Sequence, residues 1–139
     1  MAITVHCDIV SAEQEIFSGS VQFLVASGYN GDLGIMPGHA ALLTTLEAGP
    51  VRVVKENGDE EVIFVSGGFL EVQPHRVTVL ANTATRARDL DEEAAVKAKE
   101  HAKELIANQQ ADIDYSRATA ELAEAVARLR TIQQFREHK

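Results

Sequence analysis

The last third of the chain reads DEEAAVKAKEHAKELIANQQADIDYSRATAELAEAVARLRTIQQF from Asp91 to Phe135. This stretch contains no glycine and no proline, is rich in alanine, glutamate, lysine and arginine, and repeats its apolar residues at helical spacing. It predicts two helices joined by Asn108-Gln109-Gln110-Ala111-Asp112. A connection this short places the two helices side by side, so we expect an antiparallel hairpin.

The predicted starts of both helices are marked by acidic residues. Asp89 is the predicted N-cap of the first helix, with Glu92 as its capping-box partner. Asp91, Glu92 and Glu93 would then lie where the positive end of the helix dipole favours anions. The second helix is predicted to begin at Asp114.

The predicted contact faces of the two helices are mostly alanine. A buried alanine methyl contributes only roughly 0.8 kcal/mol, and a buried leucine about twice that or more. Two interpretations stay open: a hairpin that forms but can come apart, and a permanently closed pair that caps the rest of the chain. The predicted face of the first helix is Ala94, Ala98, Ala102, Leu105 and Ile106, and that of the second is Tyr115, Ala118, Leu122, Val126, Leu129 and Ile132.

The end of the second helix is basic, although the whole chain carries a formal net charge of −8. Beyond Val126 the one acidic residue is Glu137. A basic helix end on an acidic body favours an acidic protein surface as its target, and an ordinary solvated face is the alternative. The basic residues in question are Arg128, Arg130, Arg136 and Lys139.

The composition predicts one ordinary domain with an appendage. With 139 residues, 45% of them hydrophobic, the chain is long enough and apolar enough to bury a core. No apolar run approaches the roughly 18 residues of a membrane helix, and Met1-Ala2-Ile3-Thr4-Val5 lacks the features of a signal peptide. A single cysteine excludes an internal disulfide, so we expect a reducing, cytoplasmic compartment. The acidic charge balance argues against nucleic acid as a partner.

The first part of the chain has the patterns of β-strands. Residues 3–9 alternate apolar and polar side chains, which is typical of a half-buried strand. Cys7 lies on the apolar side, so we interpret it as a core residue rather than as a nucleophile served by His6 on the opposite face. A second strand, with Val21, Phe23 and Val25 on one face, is predicted after Ser18-Gly19-Ser20.

A turn-rich stretch follows and reads GYNGDLGIMPGHA from Gly28 to Ala40. Pro37-Gly38 suits the central positions of a type II turn. The stretch lacks the Gly-Lys-Ser/Thr ending and the helix-opening glycine pattern of phosphate-binding loops. His39 has no partner at metal-ligand spacing, so we interpret it as a structural or interface residue rather than as a ligand or base.

Further turn signals indicate antiparallel hairpins. Asn57-Gly58 predicts a type I′ turn between two strands. Ser66-Gly67-Gly68 then interrupts the chain, and another strand pair is joined across Gln73-Pro74-His75-Arg76. Many short strands separated by Gly and Pro turns predict an antiparallel sandwich or barrel. These four strands are predicted at residues 51–54, 62–65, 69–72 and 77–80.

The residues thus predict a β-domain at 1–86 followed by a helical hairpin at 87–139, with a short linker near residues 85–89. The sequence contains no Gly-x-Ser-x-Gly elbow, no Cys-x-x-Cys pair and no His pair at ligand spacing. A binding or regulatory subunit without a metal is therefore the favoured class. A free-standing nucleotide-sensing module and a small enzyme using His39 and Asp32 are the alternatives.

Five segments in a fixed order carry a resemblance to a known family: DIVSAE at 8–13, FSG at 17–19, GDLGIMPGHAALL at 31–43, SGGFLEV at 66–72 and DIDY at 112–115. In this order and spacing the chain resembles the epsilon subunit of bacterial F-type ATP synthases nearly from end to end. The resemblance implies a flattened antiparallel β-sandwich of about ten strands followed by a two-helix antiparallel hairpin. This agrees with the division expected from the residues.

The resemblance also implies a role and partners. Epsilon subunits are non-catalytic and lie in the central stalk at the cytoplasmic face of the cell membrane. They bind the gamma subunit and the ring of c subunits, and turn with them as proton flow drives ATP synthesis. By position, the turn at Asn30, Gly31 and Asp32 would face the c ring, and His39 and Leu42 would face gamma.

The hairpin of this family can extend along gamma into the catalytic head, where it blocks ATP hydrolysis. The partners there are the catalytic beta subunits and the alpha subunits. Three basic residues of the second predicted helix are then candidates to meet acidic segments of the catalytic subunit. They are Arg117, Arg128 and Arg130.

One departure from the family concerns ATP. Some members bind ATP through Ile/Leu-Asp-x-x-Arg-Ala at the start of the first helix, whereas this chain reads Leu90-Asp91-Glu92-Glu93-Ala94-Ala95. Ala94 replaces the arginine, which removes a charge-assisted phosphate contact, and Glu92 and Glu93 add repulsion toward a polyanion. We therefore expect absent or weak ATP binding by the isolated subunit and no cofactor.

Overall fold

A computed structural model describes residues 3–108 and 112–137. Within them the chain forms nine strands, a short 3-10 turn and two helices, which confirms a β-sandwich followed by two packed helices. The elements are β1 (Val5–Ser11), β2 (Glu15–Gly28), β3 (Gly31–Ile35), β4 (Leu42–Leu46), β5 (Gly49–Lys55), β6 (Glu60–Val65), β7 (Gly68–Gln73), β8 (Arg76–Ala81), β9 (Ala84–Arg86), the 3-10 turn (Ala87–Asp89), α1 (Glu92–Asn108) and α2 (Asp112–Glu137).

The strands form one sheet that folds back on itself. Their order is β1-β8-β7-β4-β2-β5-β6-β9, β3 is attached to β2, and β1 pairs with both β8 and β2. All of these pairings are antiparallel except β1–β8, which is parallel and sets Cys7 opposite Val77. The inward side chains of the two layers meet in one apolar core. This core includes Cys7, Ile9, Val21, Leu24, Ile35, Val51, Ile63, Leu70 and Val79.

Strand β2 is longer than the sequence indicates, because Ser18-Gly19-Ser20 lies inside it rather than before it. Its register shifts between Val21 and Phe23 where it pairs with β5. A bulge of this kind moves the following side chains to the opposite face. Val21 is fully buried, but after the bulge Leu24 and Ala26 point inward instead of Phe23 and Val25. The predicted single face of Val21, Phe23 and Val25 is therefore wrong.

The turn at Pro37-Gly38 is the predicted one. Gly38 has φ of +83°, and the amide of His39 donates a hydrogen bond to the carbonyl of Met36 at 3.1 Å. These are the features of a type II turn with Pro37 and Gly38 at its centre. The prediction is confirmed, and the turn carries the chain from β3 toward β4.

The hairpin between β5 and β6 lies where it was predicted, but its turn differs. The amide of Gly58 donates to the carbonyl of Lys55 at 2.9 Å, and the amide of Lys55 donates to the carbonyl of Asp59 at 2.7 Å. The loop is therefore three residues long, and Gly58 leaves the turn with φ of +91°. The predicted type I′ turn is wrong because Asn57-Gly58 stands one position later than the central pair of the turn.

The N-cap of α1 is Asp91, whose Oδ1 accepts a hydrogen bond from the amide of Ala94 at 3.0 Å. The predicted N-cap, Asp89, instead ends the 3-10 turn, in which the amide of Leu90 donates to the carbonyl of Ala87 at 3.1 Å. That prediction is wrong because Leu90 is extended and separates the two helical segments. Only the acid directly before the first turn of α1 is placed to cap it.

The predicted linker near residues 85–89 is structured. Ala84–Arg86 forms β9, which pairs with β6 at the edge of the sheet. Arg86 fixes this edge, because its Nε donates to Glu61 Oε1 at 2.8 Å and its Nη2 donates to the carbonyl of Ile16 at 2.6 Å. The helices therefore leave the sandwich from an anchored strand.

The contact face of α1 differs from the predicted one by part of a turn. Ala95 and Ala102 are buried, whereas Ala94, Ala98 and Leu105 are exposed. Spacing fixes which residues share a side of a helix but not which arc of the helix meets its neighbour. The prediction was right for Ala102 and wrong for the three exposed residues.

Helix α2 also departs from its prediction. It begins at Asp112 rather than at Asp114, while residues 109–111 of the predicted connection lie outside the described residues. Tyr115 and Val126, which were predicted to be buried, are 46% and 44% exposed. Neither described helix is long and apolar enough to cross a membrane. Over residues 115–137 of α2, the buried residues are Ala118, Ala125, Ala127, Thr131 and Ile132.

Candidate functional site: the interface of helix α2 and the exposed turns

Helix α2 lies between the sandwich and α1 and packs against both. Its sandwich contacts are with β5, β6 and the 3-10 turn. At 3.6 residues per turn, Ala127 and Thr131 share one side, while Ala118, Ala125 and Ile132 share the other. Ala125 lines the space beside α1, and Ala127 lines the space beside the sandwich. The apolar residues of α2 therefore form two stripes, which is why the predicted single stripe was partly wrong.

The sandwich side of this interface is centred on Phe64 of β6. Ile63 and Val65 point into the sandwich core, so their neighbours Val62 and Phe64 point to the outside of the sheet. Phe64 is nevertheless 0% exposed, and Val62 is 4% exposed. Neither belongs to the sandwich core. The strand is covered on both faces because α2 lies over its outer one.

Arg128 of α2 lies over the ring of Phe64. Its Cζ is 5.1 Å from the ring centroid, within the range of a cation–π interaction. Arg128 Nη2 also donates to Glu124 Oε1 at 2.9 Å, one turn earlier on the same helix. The guanidinium is thus held by its own helix while it covers the aromatic ring.

Arg130 makes the second polar contact between α2 and the sandwich. Its Nη2 donates to Ser27 Oγ at 3.0 Å, and Ser27 is only 5% exposed. Ser27 Oγ also donates to the carbonyl of Pro50 at 3.4 Å. Gly49 permits this approach, because a Cβ there would collide with Arg130 Nη2. This contact sets where α2 lies along the sheet.

The third candidate arginine, Arg117, contacts neither the sandwich nor α1 in the contacts described. It pairs with Glu121 at 3.3 Å on its own helix, and its side chain is 80% exposed. Arg136, near the end of α2, pairs with Glu92 at the start of α1. The hydrogen bond to Glu92 raises the pKa of Arg136 above its usual value, and the nearby charge adds to the effect. Because both side chains are exposed, this pair closes the open end of the hairpin only weakly.

Two of the residues matching the ATP motif, Ala94 and Ala95, line a cleft between α1 and α2, whereas Leu90 and Asp91 do not. The volume of this cleft is about 360 Å³. Asp91 is engaged as the N-cap, and Leu90 is extended before it. Glu121 and Glu124 line the same cleft, and its one arginine, Arg128, already pairs with Glu124. The cleft therefore offers a polyphosphate little uncompensated positive charge. Its lining is Ala94, Ala95, Ala98, His101, Glu121, Glu124, Ala125 and Arg128.

The turn predicted to face the c ring is the tip of the β2–β3 hairpin. Gly28 pairs with Gly31 across a two-residue loop, and Gly31 has φ of +118°. Asn30, Gly31 and Asp32 are all exposed, and the neighbouring Tyr29 is 68% exposed. The sheet thus presents a short polar turn at this end.

The residues predicted to face gamma lie after the type II turn. His39 and Leu42 are both half-buried, and His39 Nδ1 is 2.7 Å from the carbonyl oxygen of Ala40. Leu42 packs inward against the sandwich core, so this predicted residue does not lie on the outer face. Leu43 beside it is 66% exposed, and Phe69 on the neighbouring strand β7 is 50% exposed. This outer face of the sheet therefore carries large apolar side chains in water.

The polar cluster on β1 does not form a catalytic triad. Ser18 Oγ donates to Asp8 Oδ1 at 2.7 Å, and His6 Nε2 lies 2.9 Å from the same carboxyl oxygen. A triad needs its serine and its acid on different ring nitrogens, whereas here one nitrogen faces both. Burial alone would raise the pKa of Asp8. The bonds from Ser18 and His6, aided by the charges of His6 and Arg76, outweigh it and lower that pKa.

Cys7 is a core residue, as predicted. It is 0% exposed, and burial, with a smaller effect from Asp8, raises the pKa of its thiol to about 12. A thiol that stays protonated and covered is a poor nucleophile. Among the described residues, no three His, Cys, Asp or Glu side chains come together as a metal site.

Two residues of this interface were not predicted from the sequence. Phe64 was assigned to a strand without a role, and Ser27 was not singled out. The signal for Phe64 was present, because Val62-Ile63-Phe64-Val65 is a continuous apolar run rather than an alternating one. A run of this kind indicates a strand covered on both faces. Ser27 had no comparable signal, because its partner Arg130 is far away in the sequence.

Comparisons with known proteins agree with this architecture. The model of the beta-sandwich domain of the ATP synthase delta/epsilon chain matches residues 4–87, and that of the long alpha-helix domain matches residues 88–133. The ATP synthase epsilon chain of Chromohalobacter salexigens is 65% identical over 132 residues, which cover 95% of this chain and 94% of that one.

Two solved structures share the fold. A chain in the mitochondrial ATP synthase of Euglena gracilis aligns with a TM-score of 0.81 and 19% identity, covering 97% of this chain and 82% of that chain. A chain in the central stalk and c-ring structure of the Tetrahymena thermophila mitochondrial ATP synthase aligns with a TM-score of 0.60 and 13% identity, covering 92% of this chain and 96% of that chain.

The fold and the interface define a class of protein in which a β-sandwich carries a docked pair of helices. Both parts match successive domains of one family, and together the matches cover residues 4–133. The chain belongs to the delta/epsilon chain family of ATP synthases, and it is a non-catalytic subunit of the epsilon type. The resemblance found in the sequence is confirmed.

Proposed function

We propose that this chain is a rotor subunit in the central stalk of a bacterial F-type ATP synthase. It couples rotation of the c ring to the catalytic head through gamma, and it is held at the cytoplasmic face of the membrane by that complex. The observation that carries the proposal is the 65% identity to a bacterial epsilon chain over 95% of this chain. In this proposal residues 1–86 bind gamma and the c ring, and residues 87–139 regulate.

The surfaces of the sandwich support this assignment. The exposed polar turn at Asn30, Gly31 and Asp32 suits the polar loops of a c ring. Leu42 packs inward against the core, so the outer face here is formed by the exposed Leu43 and Phe69. An apolar outer sheet face of this kind suits a protein partner such as gamma. A second copy of this chain would instead need the same patch to complement itself.

The helices support an inhibitory role. Helix α2 rests on the sandwich here, and its contact with α1 is made largely through alanines. When α2 extends, Arg117, Arg128 and Arg130 become available to acidic segments of the catalytic beta subunit and to the alpha subunits around it. Charge-assisted bonds to carboxylates would then replace the contacts that these arginines make in the folded-down position.

The test is to assemble the ATP synthase with the full chain and with a chain that ends after Asp89. We expect the shortened chain to co-purify with gamma and the c ring, and ATP hydrolysis to rise severalfold. Hydrolysis that does not change would contradict the inhibitory role. Failure of the full chain to co-purify with gamma would contradict the rotor assignment.

Arg117→Glu is the cleanest probe of the inhibitory contact, because Arg117 pairs only with Glu121 of its own helix in the contacts described. Reversing its charge should relieve inhibition without disturbing the docked position of α2. Lys97→Glu is the matched control, since Lys97 is equally exposed and pairs with Glu93 on α1 in the same way. Equal effects of the two variants would speak against a specific role for Arg117.

We further propose that ATP binds the isolated subunit weakly or not at all. Ala94 stands where the motif has arginine, and Glu121 and Glu124 line the cleft beside it. Calorimetric titration of the full chain should detect no binding in the micromolar range. Ala94→Arg combined with Glu124→Ala should create measurable binding. Micromolar affinity in the unmodified chain would overturn this proposal.

The two alternatives from the sequence have less support. His39 contacts the carbonyl of its neighbour Ala40, Asp32 is exposed at the tip of a turn, and no contact described joins the two. A small enzyme built on this pair therefore lacks an assembled site in the described residues. Co-purification with gamma, which tests the rotor assignment, would also exclude a free-standing nucleotide sensor.

A further inference from the structure

We infer that Phe64 is the anchor that holds α2 on the sandwich, with Arg128 closing over it and Arg130 fixing the register. The arginines proposed to inhibit ATP hydrolysis would then also stabilise the resting position of the hairpin. That last step rests on the proposed function, whereas the anchor itself is a property of the isolated chain.

The burial of Phe64 is the first observation. It is 0% exposed but lies outside the core of the sandwich, so its cover comes from α2 rather than from the opposite layer. Val54 and Val62 are also buried outside that core, at 7% and 4% exposure. Lifting α2 would expose this apolar patch to water. A patch that contains an aromatic ring holds the helix more strongly than alanine contacts do.

The position of Arg128 is the second observation. Its guanidinium lies 5.1 Å from the Phe64 centroid and is held at 2.9 Å by Glu124 of the same helix. Arg128 therefore moves with α2, and when the helix lifts it loses its contact with the Phe64 ring but keeps its bond to Glu124. In that state it is paired with a single carboxylate and can engage a second one on a partner.

The contact of Arg130 is the third observation. When α2 lifts, Ser27 keeps its bond to the carbonyl of Pro50, so losing Arg130 leaves no buried hydroxyl without a partner. The Arg130–Ser27 bond therefore contributes less to holding α2 than the covered ring does. Its role is positional, because Gly49 and Ser27 leave room for Arg130 at one place along the sheet.

The test uses the full chain with a thiol placed under α2. Thr131 is 0% exposed on the same side of α2 as Ala127, which faces the sandwich, and cysteine nearly matches threonine in size. In Thr131→Cys the rate of reaction with a thiol reagent near pH 8 reports how often α2 lifts. Cys7 serves as the internal control, because it is buried and has a pKa of about 12, so it reacts only when the sandwich opens.

The anchor is tested by adding Phe64→Ala to Thr131→Cys. We expect residue 131 to react about tenfold faster or more, while Cys7 remains slow. The control is Phe23→Ala, which removes a ring from β2 that also lies under an arginine, Arg52, at 5.5 Å. Phe23 is opposite Val54, at the margin of the patch, and α2 packs mainly on β5 and β6 rather than on β2, so this control should accelerate reaction at residue 131 far less. No acceleration by Phe64→Ala, or an equal acceleration by Phe23→Ala, would overturn the inference.

A second variant decides the matter if Phe64→Ala disturbs the sandwich and exposes Cys7. Arg128→Gln keeps the core intact and removes the cation over the ring, together with the ion pair to Glu124 within α2, so it should accelerate reaction at residue 131 about threefold. An unchanged rate in Arg128→Gln would then count against the anchor.

In the assembled enzyme, Phe64→Leu should strengthen inhibition, because α2 leaves the sandwich more readily with Arg128 and Arg130 intact. If truncation after Asp89 does not change hydrolysis, the proposed function fails while the labelling result stands. If truncation raises ATP hydrolysis but neither Phe64→Ala nor Arg128→Gln speeds the thiol reaction at residue 131, the inference about the anchor is wrong and the proposed function stands.

Discussion

At the scale of single residues, Gly68 is a position that should not tolerate a side chain. It has φ of +145°, which L side chains rarely adopt, and a Cβ there would overlap the carbonyl oxygen of Leu80 on the neighbouring strand. We predict that Gly68→Ala lowers the free energy of unfolding by about 3 kcal/mol, because strain and collision act together. Gly34→Ala is the matched control, since nothing lies near its Cβ, and it should change stability by less than about 1 kcal/mol. Urea denaturation of both variants measures the difference.

Asp8 should make the stability of the sandwich depend on pH. Its pKa is lower in the folded protein than the ordinary value of 3.8, so its ionised form stabilises the fold above that pH. This contribution is lost as the pH falls through the folded pKa. We predict that Asp8→Asn destabilises the protein by about 1 kcal/mol at neutral pH and that the difference decreases as the pH falls below 3.8. Asp32→Asn, at the exposed turn, is the control. A constant difference for Asp8→Asn across this range would contradict the assignment.

Residues whose position or conformation is fixed by their immediate sequence neighbours were predictable. Cys7 was placed in the core from alternation alone, and Pro37-Gly38 was assigned its turn from backbone chemistry. The predictions for Asp89 and Asn57 were wrong for a shared reason, because a shift of one or two positions along the chain changes which residue caps the helix or centres the turn. Sequence chemistry names the kind of cap or turn, whereas the hydrogen bonds around it fix the position.

At the scale of elements, the start of α1 offers a direct test of which acid caps it. We predict that Asp91→Ala lowers the stability of the helix by about 1 kcal/mol, because the amide of Ala94 loses its acceptor. Asp89→Ala should have little effect, since Asp89 ends the preceding 3-10 turn. Helical circular dichroism during thermal unfolding measures both variants. A larger loss for Asp89→Ala would restore the original assignment.

Which face of each helix is buried was the feature least predictable from the sequence. Periodicity shows which residues of α2 share a side, but α2 is covered on two sides, so its apolar residues spread around the helix. Val126 was taken as buried because it continues the spacing, yet it is 44% exposed between the two stripes. Long-range contacts such as Arg130 with Ser27 lie beyond any local pattern.

At the scale of the whole molecule, α2 buries apolar side chains on the outer face of the sandwich, so neither part is independent of the other. The expectation of a lightly held hairpin came from its alanine faces, and those faces describe the contact of α2 with α1. The contact of α2 with the sandwich is different, because it covers Phe64 and Val62. Opening the hairpin and lifting it from the sandwich are therefore separate events, and the second uncovers an aromatic ring.

This coupling predicts how the sandwich behaves without its helices. A chain that ends after Asp89 should still fold, because its core is formed by the strands, but it should expose Val54, Val62 and Phe64. We expect it to bind a hydrophobic dye and to self-associate more than the full chain does. Phe64→Thr in the shortened chain should remove most of the dye binding. Phe23→Thr should not, because Phe23 remains covered by Arg52. A shortened chain without dye binding would mean that the outer face of β6 finds its own cover, and α2 would then not be needed to bury Phe64.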